Sequence, residues 1–266
     1  MNNIALGRYI PLNSPIHHLD PRTKIIGLIL MMIAIFIPAG WFGYLLVGTA
    51  VFILALLAKL KLSFLWRSMK PMLFMLVFLL VINLFIVREG DLWFSIGPFP
   101  IYSGAVFQTL YIVVRLMLMI VLTTVLTATT KPLELTLGIE DLLGPLKVIH
   151  VPAHEIAMMI SIALRFIPTL IEETQRIMKA QASRGVDLEE GSFKEKVMAI
   201  LSLIVPLFVS AFQHADDLAN AMEARGYVPD QLRTRYKQLV MRGVDFLTLA
   251  VAVVLMVALI MMAWVL

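Results

Sequence analysis

Long apolar segments make up most of this chain, and they restrict its possible folds more than any other feature. Sixty per cent of the 266 residues are hydrophobic and only 15% are charged, whereas soluble domains average about half and about a quarter. A membrane-spanning helix needs roughly 20 predominantly apolar residues. Segments near this length lie at about 25–42, 41–60, 71–87, 104–128 and 246–266. The sequence therefore predicts an all-α polytopic membrane protein with about five transmembrane helices.

Positive charges next to these segments predict the orientation of the chain. One basic cluster follows the second segment and another precedes the last: Lys59, Lys61, Arg67 and Lys70, then Arg233, Arg235, Lys237 and Arg242. Cytoplasmic loops carry such an excess of lysine and arginine, so we expect a cytoplasmic N-terminus and an external C-terminus. The predicted organisation is a cytoplasmic N-terminal segment (1–24), four transmembrane helices (25–129), a cytoplasmic coupling domain (130–242) and a last transmembrane helix (243–266).

Two further apolar stretches, 156–171 and 197–212, lie inside the predicted coupling domain. Each has about 16 residues and contains a proline, which is short for a membrane crossing. The orientation of the last segment requires that both stretches cross the membrane or that neither does. We predict that neither crosses and that they begin two long helices, 152–184 and 192–225. Ser192 followed three residues later by Glu195 is a capping-box signature for the start of the second helix.

The two long helices are predicted to end in the same short pattern. Residues 180–185 (Ala-Gln-Ala-Ser-Arg-Gly) and 221–226 (Ala-Met-Glu-Ala-Arg-Gly) share Ala, Arg and Gly at matching positions. Glycine often follows the last turn of a helix and a cation there suits the helix dipole, so capping alone explains a single Arg-Gly pair. Two copies on two long helices favour another interpretation, in which Arg184 and Arg225 contact partner proteins.

A short polar segment before the first apolar segment completes the pattern. It has the form His-x-Leu-Asp-Pro-Arg-x-Lys, formed by His17, Leu19, Asp20, Pro21, Arg22 and Lys24. This signature and the two helix ends resemble the T component of energy-coupling factor transporters, over the whole chain and in the same order. That family's coupling helices end in Ala-Arg-Gly-like triplets, matched by Ser183, Arg184 and Gly185 and by Ala224, Arg225 and Gly226. The serine departs from the pattern but leaves its Arg and Gly in place.

The resemblance implies a membrane scaffold and not an enzyme. T components bind two ABC-type ATPases through the two arginine ends and hold a separate substrate-binding membrane subunit, the S component. ATP and magnesium are bound by the ATPases, and hydrolysis is coupled to reorientation of the S component and uptake of a vitamin or a transition-metal ion. On this resemblance the chain lies in the plasma membrane of a prokaryote. It would itself hold no cofactor, metal ligand or catalytic residue.

Residues outside these motifs leave one alternative, an intramembrane enzyme or a self-contained secondary transporter. No glycine is followed by lysine, so the chain lacks a P-loop for ATP hydrolysis. The basic residues flank apolar segments and the net charge is only +4, so no nucleic-acid partner is predicted. Arg115 is the only charge well inside a predicted span. It is either part of an ion or substrate relay or a structural partner of an acid or a backbone carbonyl.

Overall fold

The computed structural model describes residues 9–87, 90–96, 99–145, 152–186, 192–228 and 238–265. The chain divides into two compact units, one of residues 1–153 and 239–266 and the other of residues 154–238. Segment 130–153, which we predict as the start of the coupling domain, belongs by its contacts to the first unit. The basic residues predicted to orient the last span lie partly outside the described ranges, namely Arg233, Arg235 and Lys237.

The first unit is a helical bundle with a short antiparallel hairpin. Its described elements are a 3-10 helix (Pro15–His18), α1 (Pro21–Phe36), α2 (Gly40–Leu57), α3 (Leu62–Ile86), β1 (Leu92–Ile96), β2 (Phe99–Tyr102), α4 (Ser103–Thr129), α5 (Pro132–Leu143) and α8 (Gly243–Val265). The sequence predicts only a loop where the hairpin forms. Aromatic and β-branched residues are frequent there and favour strands, and the backbones pair with Ile96 opposite Phe99.

Helix α1 is shorter than the predicted first span. The sequence predicts apolar helix to about residue 42, but α1 ends at Phe36 and α2 begins at Gly40. Pro38 cannot continue a helix because it lacks an N–H and restricts the residue before it. At about 1.5 Å per residue the 16 residues of α1 extend for only roughly 24 Å.

The core of the first unit lies between α1, α2, α4 and α8. Its largest cluster of buried apolar side chains includes Met31, Ile35, Val47, Val51, Leu122 and Leu259. Helix α1 packs against α8, α4 and α5, and α3 packs against α4. Helix α1 is therefore the central element of this unit, and its first turn contains the last residues of the N-terminal signature, from Pro21 to Lys24.

The second unit contains α6 (Ala153–Ser183) and α7 (Phe193–Ala224). Both predicted helices are confirmed, and each continues through its internal proline, Pro168 or Pro206. The predicted capping box is also confirmed. The Ser192 N–H donates to Glu195 Oε2 at 2.7 Å, and the Glu195 N–H donates to Ser192 Oγ at 3.4 Å.

Six helices in the described ranges are long and apolar enough to cross a membrane: α2, α3, α4, α6, α7 and α8. Four of them correspond to predicted spans, and together they establish an all-α polytopic membrane protein. Helix α1 is absent from the set because it has only 16 residues. Helices α6 and α7 meet the criterion although we predict that neither crosses, so the assignment of five crossings stays a prediction.

Candidate functional site

The first arginine end has a Schellman geometry. The Gly185 N–H donates to the Ala182 carbonyl, and the Val186 N–H donates to the Gln181 carbonyl, at 3.0 and 3.1 Å. Gly185 has φ +82°, a backbone conformation that residues with a Cβ rarely adopt. These bonds satisfy two carbonyls of the last turn and make Arg184 the C-cap residue of α6.

The second arginine end repeats this geometry at every step. The Gly226 N–H donates to the Glu223 carbonyl at 2.8 Å, and the Tyr227 N–H donates to the Met222 carbonyl at 3.0 Å. Gly226 has φ +74°, and Arg225 is the C-cap of α7. The pattern common to both sequences therefore produces one common backbone structure.

Both arginines are exposed, as are Ser183 and Ala224, the residues that precede them. Within the described ranges neither guanidinium has an ion-pair partner within 4 Å. A guanidinium carries five N–H donors in a planar fork that matches carboxylates. Among the described residues each helix end thus presents a cation without an ion-pair partner, on a backbone fixed by the glycine that follows.

The contacts between α6 and α7 place the two ends at opposite ends of the helix pair. Gln181 Nε2 donates to the Ser202 carbonyl at 3.1 Å, one turn before the first arginine end. From Ser202 to Arg225 helix α7 continues for roughly 34 Å. Farther along, His214 lies 3.8 Å from Glu173 and stacks on Phe166, so the helices run antiparallel. The two arginines therefore cannot belong to a single binding pocket.

The N-terminal signature forms a second polar cluster, in the first unit. Asp20 is the N-cap of α1 and accepts the Arg22 N–H at 2.9 Å, while Pro21 occupies the first helical position. The Asp20 N–H donates to Asp245 Oδ1 at 2.8 Å, and the Arg242 N–H donates to Asp245 Oδ2 at 2.7 Å. Both carboxylates are buried, so one acid at the start of each helix satisfies amides that the helices leave unpaired.

Arg22 connects this cluster to two other elements. Its Nε and Nη2 donate to the Asp20 carboxylate at 3.1 Å each, a bidentate pair. Nη1 lies 3.5 Å from Asp141 of α5, and Nη2 also donates to the Leu239 carbonyl at 3.0 Å. Arg22 therefore connects α1, α5 and the chain before α8. Gly138 allows this approach, because a Cβ there would lie 3.1 Å from Pro21.

Lys24 and His17 complete the cluster. The Lys24 ammonium donates to the Thr129 carbonyl at 3.0 Å and to Thr130 Oγ1 at 3.1 Å, which satisfies the C-terminal end of α4. His17 Nε2 lies 3.0 Å from the Ile10 carbonyl, so it must donate, and in the neutral ring Nδ1 accepts from Ser14 Oγ at 2.6 Å. Both hydrogen bonds can therefore form with the neutral imidazole ring. Burial, with the nearby Lys24 and His18 charges, lowers the pKa of His17.

The structure brings the signature residues together within the first unit, and the two arginine ends belong to the second unit. Leu19 packs beside a buried cluster that contains Ile16 and Leu65, and His17, Asp20, Arg22 and Lys24 make the polar contacts described above. Sequence reasoning missed Asp245. An acid in the first turn of the most apolar segment was the available signal, because an acid there needs buried donors.

Arg115 has a partner that neither interpretation of the sequence named. Within the described ranges its guanidinium contacts neither an acid nor a backbone carbonyl. Nε and Nη2 both donate to Tyr44 Oη, at 3.1 and 2.9 Å, and the guanidinium carbon lies 5.1 Å from the centre of the Phe36 ring. The spacing of apolar residues along the sequence does not indicate this pair, because Tyr44 and Arg115 are 71 residues apart.

Comparison with known proteins agrees with this pattern of motifs. The family described as "Cobalt transport protein" (CbiQ) matches residues 12–236. The energy-coupling factor transporter transmembrane protein EcfT of Bacillus subtilis is 45% identical over 245 residues, covering 92% of each chain. EcfT of Macrococcus caseolyticus is 46% identical over 94% of each chain, and EcfT of Lactococcus lactis is 41% identical over 98% of each. The chain thus belongs to the CbiQ/EcfT family and is a transmembrane component of an energy-coupling factor transporter.

Proposed function

We propose that this chain is the non-catalytic scaffold of an importer and binds two ABC-type ATPases through Arg184 and Arg225. A separate substrate-binding membrane subunit, the S component, completes the transporter. ATP and magnesium are bound by the ATPases, and the chain itself holds no cofactor. Hydrolysis moves α6 and α7 and reorients the S component, which carries a vitamin or a transition-metal ion into the cell.

The repeated geometry of the two helix ends carries this proposal. Both have an arginine C-cap, a glycine at positive φ and the same pair of hydrogen bonds. A C-cap needs only the glycine and the backbone, so an exposed arginine at the same position of both ends is not required for capping. A partner with a groove of acids or carbonyls would use its fork of donors.

The antiparallel contacts of α6 and α7 support two partners. Each end can enter its own groove without competing with the other, since roughly 34 Å of α7 lie between the Ser202 contact and Arg225. In such an assembly a change in the separation of the ATPases would act on the two ends of one helix pair. This is a physical route from ATP hydrolysis to the membrane subunits.

The test is capture of the ATPases by charge-reversed variants in the full complex. Arg184→Glu and Arg225→Glu should each weaken binding, because loss of one partner from a desolvated charged pair costs about 2–5 kcal/mol, a factor of roughly 30 or more. The matched control is Arg176→Glu, an exposed position on the side of α6 two turns before its end. If both end variants retain full ATPase capture and full transport, the two arginines act only as helix caps.

We also propose a location in the cell membrane of a prokaryote with the N-terminus and both arginine ends in the cytoplasm. The chain has no cysteine, so single introduced cysteines report their side without background. Lys194→Cys, at an exposed position in the first turn of α7, should react only after the membrane is permeabilised. Labelling of intact cells by an impermeant reagent would show that the opposite orientation is correct.

A further inference from the structure

Arg115 has donors that the protein does not use. Two of its five N–H groups donate to Tyr44 Oη. Within the described ranges the other three have no acceptor, and the Tyr44 hydroxyl, which accepts both bonds, retains its own proton to donate. Arg115 is only partly buried. The pair therefore offers donors without acceptors, which selects an anion as its ligand.

Aromatic rings surround this pair. Trp41 lies 4.3 Å from Tyr111 and 6.3 Å from Phe107, and Tyr44 lies 5.3 Å from Tyr111, measured between ring centres. Phe107, Tyr111 and Arg115 are four residues apart and lie on one face of α4. Trp41 is 41% exposed. Tryptophan and tyrosine with an arginine are typical of the level at which a bilayer changes from hydrocarbon to headgroups.

The turn between α1 and α2 gives independent evidence for the depth of Arg115 and these aromatic residues in the membrane. No side chain caps α2, and its first intrahelical bond is donated by Gly43, so the amides of Gly40, Trp41 and Phe42 need other acceptors. Such a backbone is not tolerated in hydrocarbon. The turn must lie among polar headgroups, and Arg115 lies at its level because it contacts residues on both sides of it.

The lengths of the helices explain how headgroups reach that level. Helix α4 continues for 12 residues, roughly 18 Å, from Arg115 back to Ser103. Helix α1 covers only roughly 24 Å of a hydrocarbon core that is about 30 Å thick. A bilayer adapts to a short helix by thinning. Beside α1 and α2 the headgroups of that leaflet would therefore descend towards the Arg115–Tyr44 pair.

We propose that Arg115 and Tyr44 bind the phosphate of a phospholipid in the leaflet at the α1–α2 turn, with Trp41 and Tyr111 beside its glycerol region. Bidentate guanidinium–phosphate pairing supplies the recognition, and the aromatic rings supply the amphipathic surface. This site belongs to the first unit and does not depend on the ATPase proposal. It also gives the Arg115 charge an electrostatic partner that the described residues do not supply.

The experiment compares a phospholipid with a lipid that lacks its phosphate-containing headgroup and with free phosphate. The purified full chain in mild detergent receives phosphatidylglycerol, diacylglycerol with the same acyl chains, or inorganic phosphate, and thermal unfolding is recorded. Near-saturating phosphatidylglycerol should raise Tm by roughly 5 °C, and native mass spectrometry should detect one retained phospholipid. Diacylglycerol and inorganic phosphate should do neither. An equal shift in Tm with diacylglycerol would show that only the acyl chains bind. A shift in Tm with inorganic phosphate would show that the ligand is a free anion and not a lipid.

Variants test whether the change in Tm and the retained lipid depend on this site. Arg115→Gln should lose most of the shift and the retained lipid, whereas Arg115→Lys should keep part of both. Arg67→Gln, which removes an exposed cation from the basic cluster at the start of α3, is the matched control and should keep the full response. If Arg115→Gln folds poorly, the comparison of Tyr44→Phe with Arg115→Lys at the same lipid concentrations still measures the site. An undiminished lipid response in both Arg115 variants would overturn the proposal.

Discussion

Arg22 and Arg184 are both arginines beside a helix end, but the protein uses them in opposite ways. Arg22 is near the start of α1, and its guanidinium reaches Asp20, Asp141 and the Leu239 carbonyl. Arg184 caps the end of α6 and is exposed, with no ion pair within the described ranges. The comparison separates two uses of charge. The signature cluster stabilises the first unit, whereas the arginine ends carry charge that folding does not require.

Asp20→Ala should cause the largest loss of stability. It removes an N-cap and a buried carboxylate and leaves the partly buried Arg22 with only Asp141 at 3.5 Å and the Leu239 carbonyl, so we expect a cost of about 3–5 kcal/mol. Tm in detergent should fall by roughly 10 °C. Asp216→Ala, an exposed acid on α7, is the control and should change Tm little. A fall in Tm no larger for Asp20→Ala than for the control would mean that the signature is not a stability element.

Gly185→Ala should have an intermediate effect confined to the first arginine end. A Cβ at this position meets nothing within 4 Å, so only the φ of +82° opposes it, at about 1–2 kcal/mol. Gly144→Ala is the control because Gly144 has φ −49° and a Cβ there also meets nothing. Hydrogen exchange of the last turn of α6 should increase for Gly185→Ala only. Unchanged exchange in both variants would mean that the glycine does not hold the end.

Acidification should destabilise the signature cluster by a smaller amount. Burial lowers the pKa of His17 below its ordinary 6.5, so between the folded and unfolded values the unfolded chain binds more protons. The contribution of His17 is complete above pH 6.5 and is lost as the pH falls below it. Tm should fall from pH 7.5 to pH 5 by more in the native chain than in His17→Gln. Equal falls would assign the pH dependence to other groups.

The parts of the candidate site that sequence reasoning found are local, and the site contacts that it missed are not. Ser192 and Glu195 are three residues apart, and each Schellman ending depends on about six consecutive residues, so their structure follows from sequence pattern. The contacts between Asp20 and Asp245 and between Arg115 and Tyr44 join residues 225 and 71 positions apart. No periodicity encodes such pairs. The signature was found by resemblance, and only the packing of α1 against α8 and α5 shows why its residues occur together.

The smallest effect on stability should come from the arginine ends themselves, and it tests the comparison most directly. A cation at a helix C-terminus contributes about 0.3–1 kcal/mol through the dipole at an exposed position. Arg184→Ala and Arg225→Ala should therefore each lower the free energy of unfolding by about 0.5 kcal/mol, within roughly 2 °C in Tm. Glycine and the backbone bonds remain, so the helix ends should keep their hydrogen-exchange protection. The same variants should lose ATPase capture far more than stability. If either alanine variant costs as much stability as Asp20→Ala, its arginine has a structural partner in the fold, and the distinction between the two uses of arginine fails.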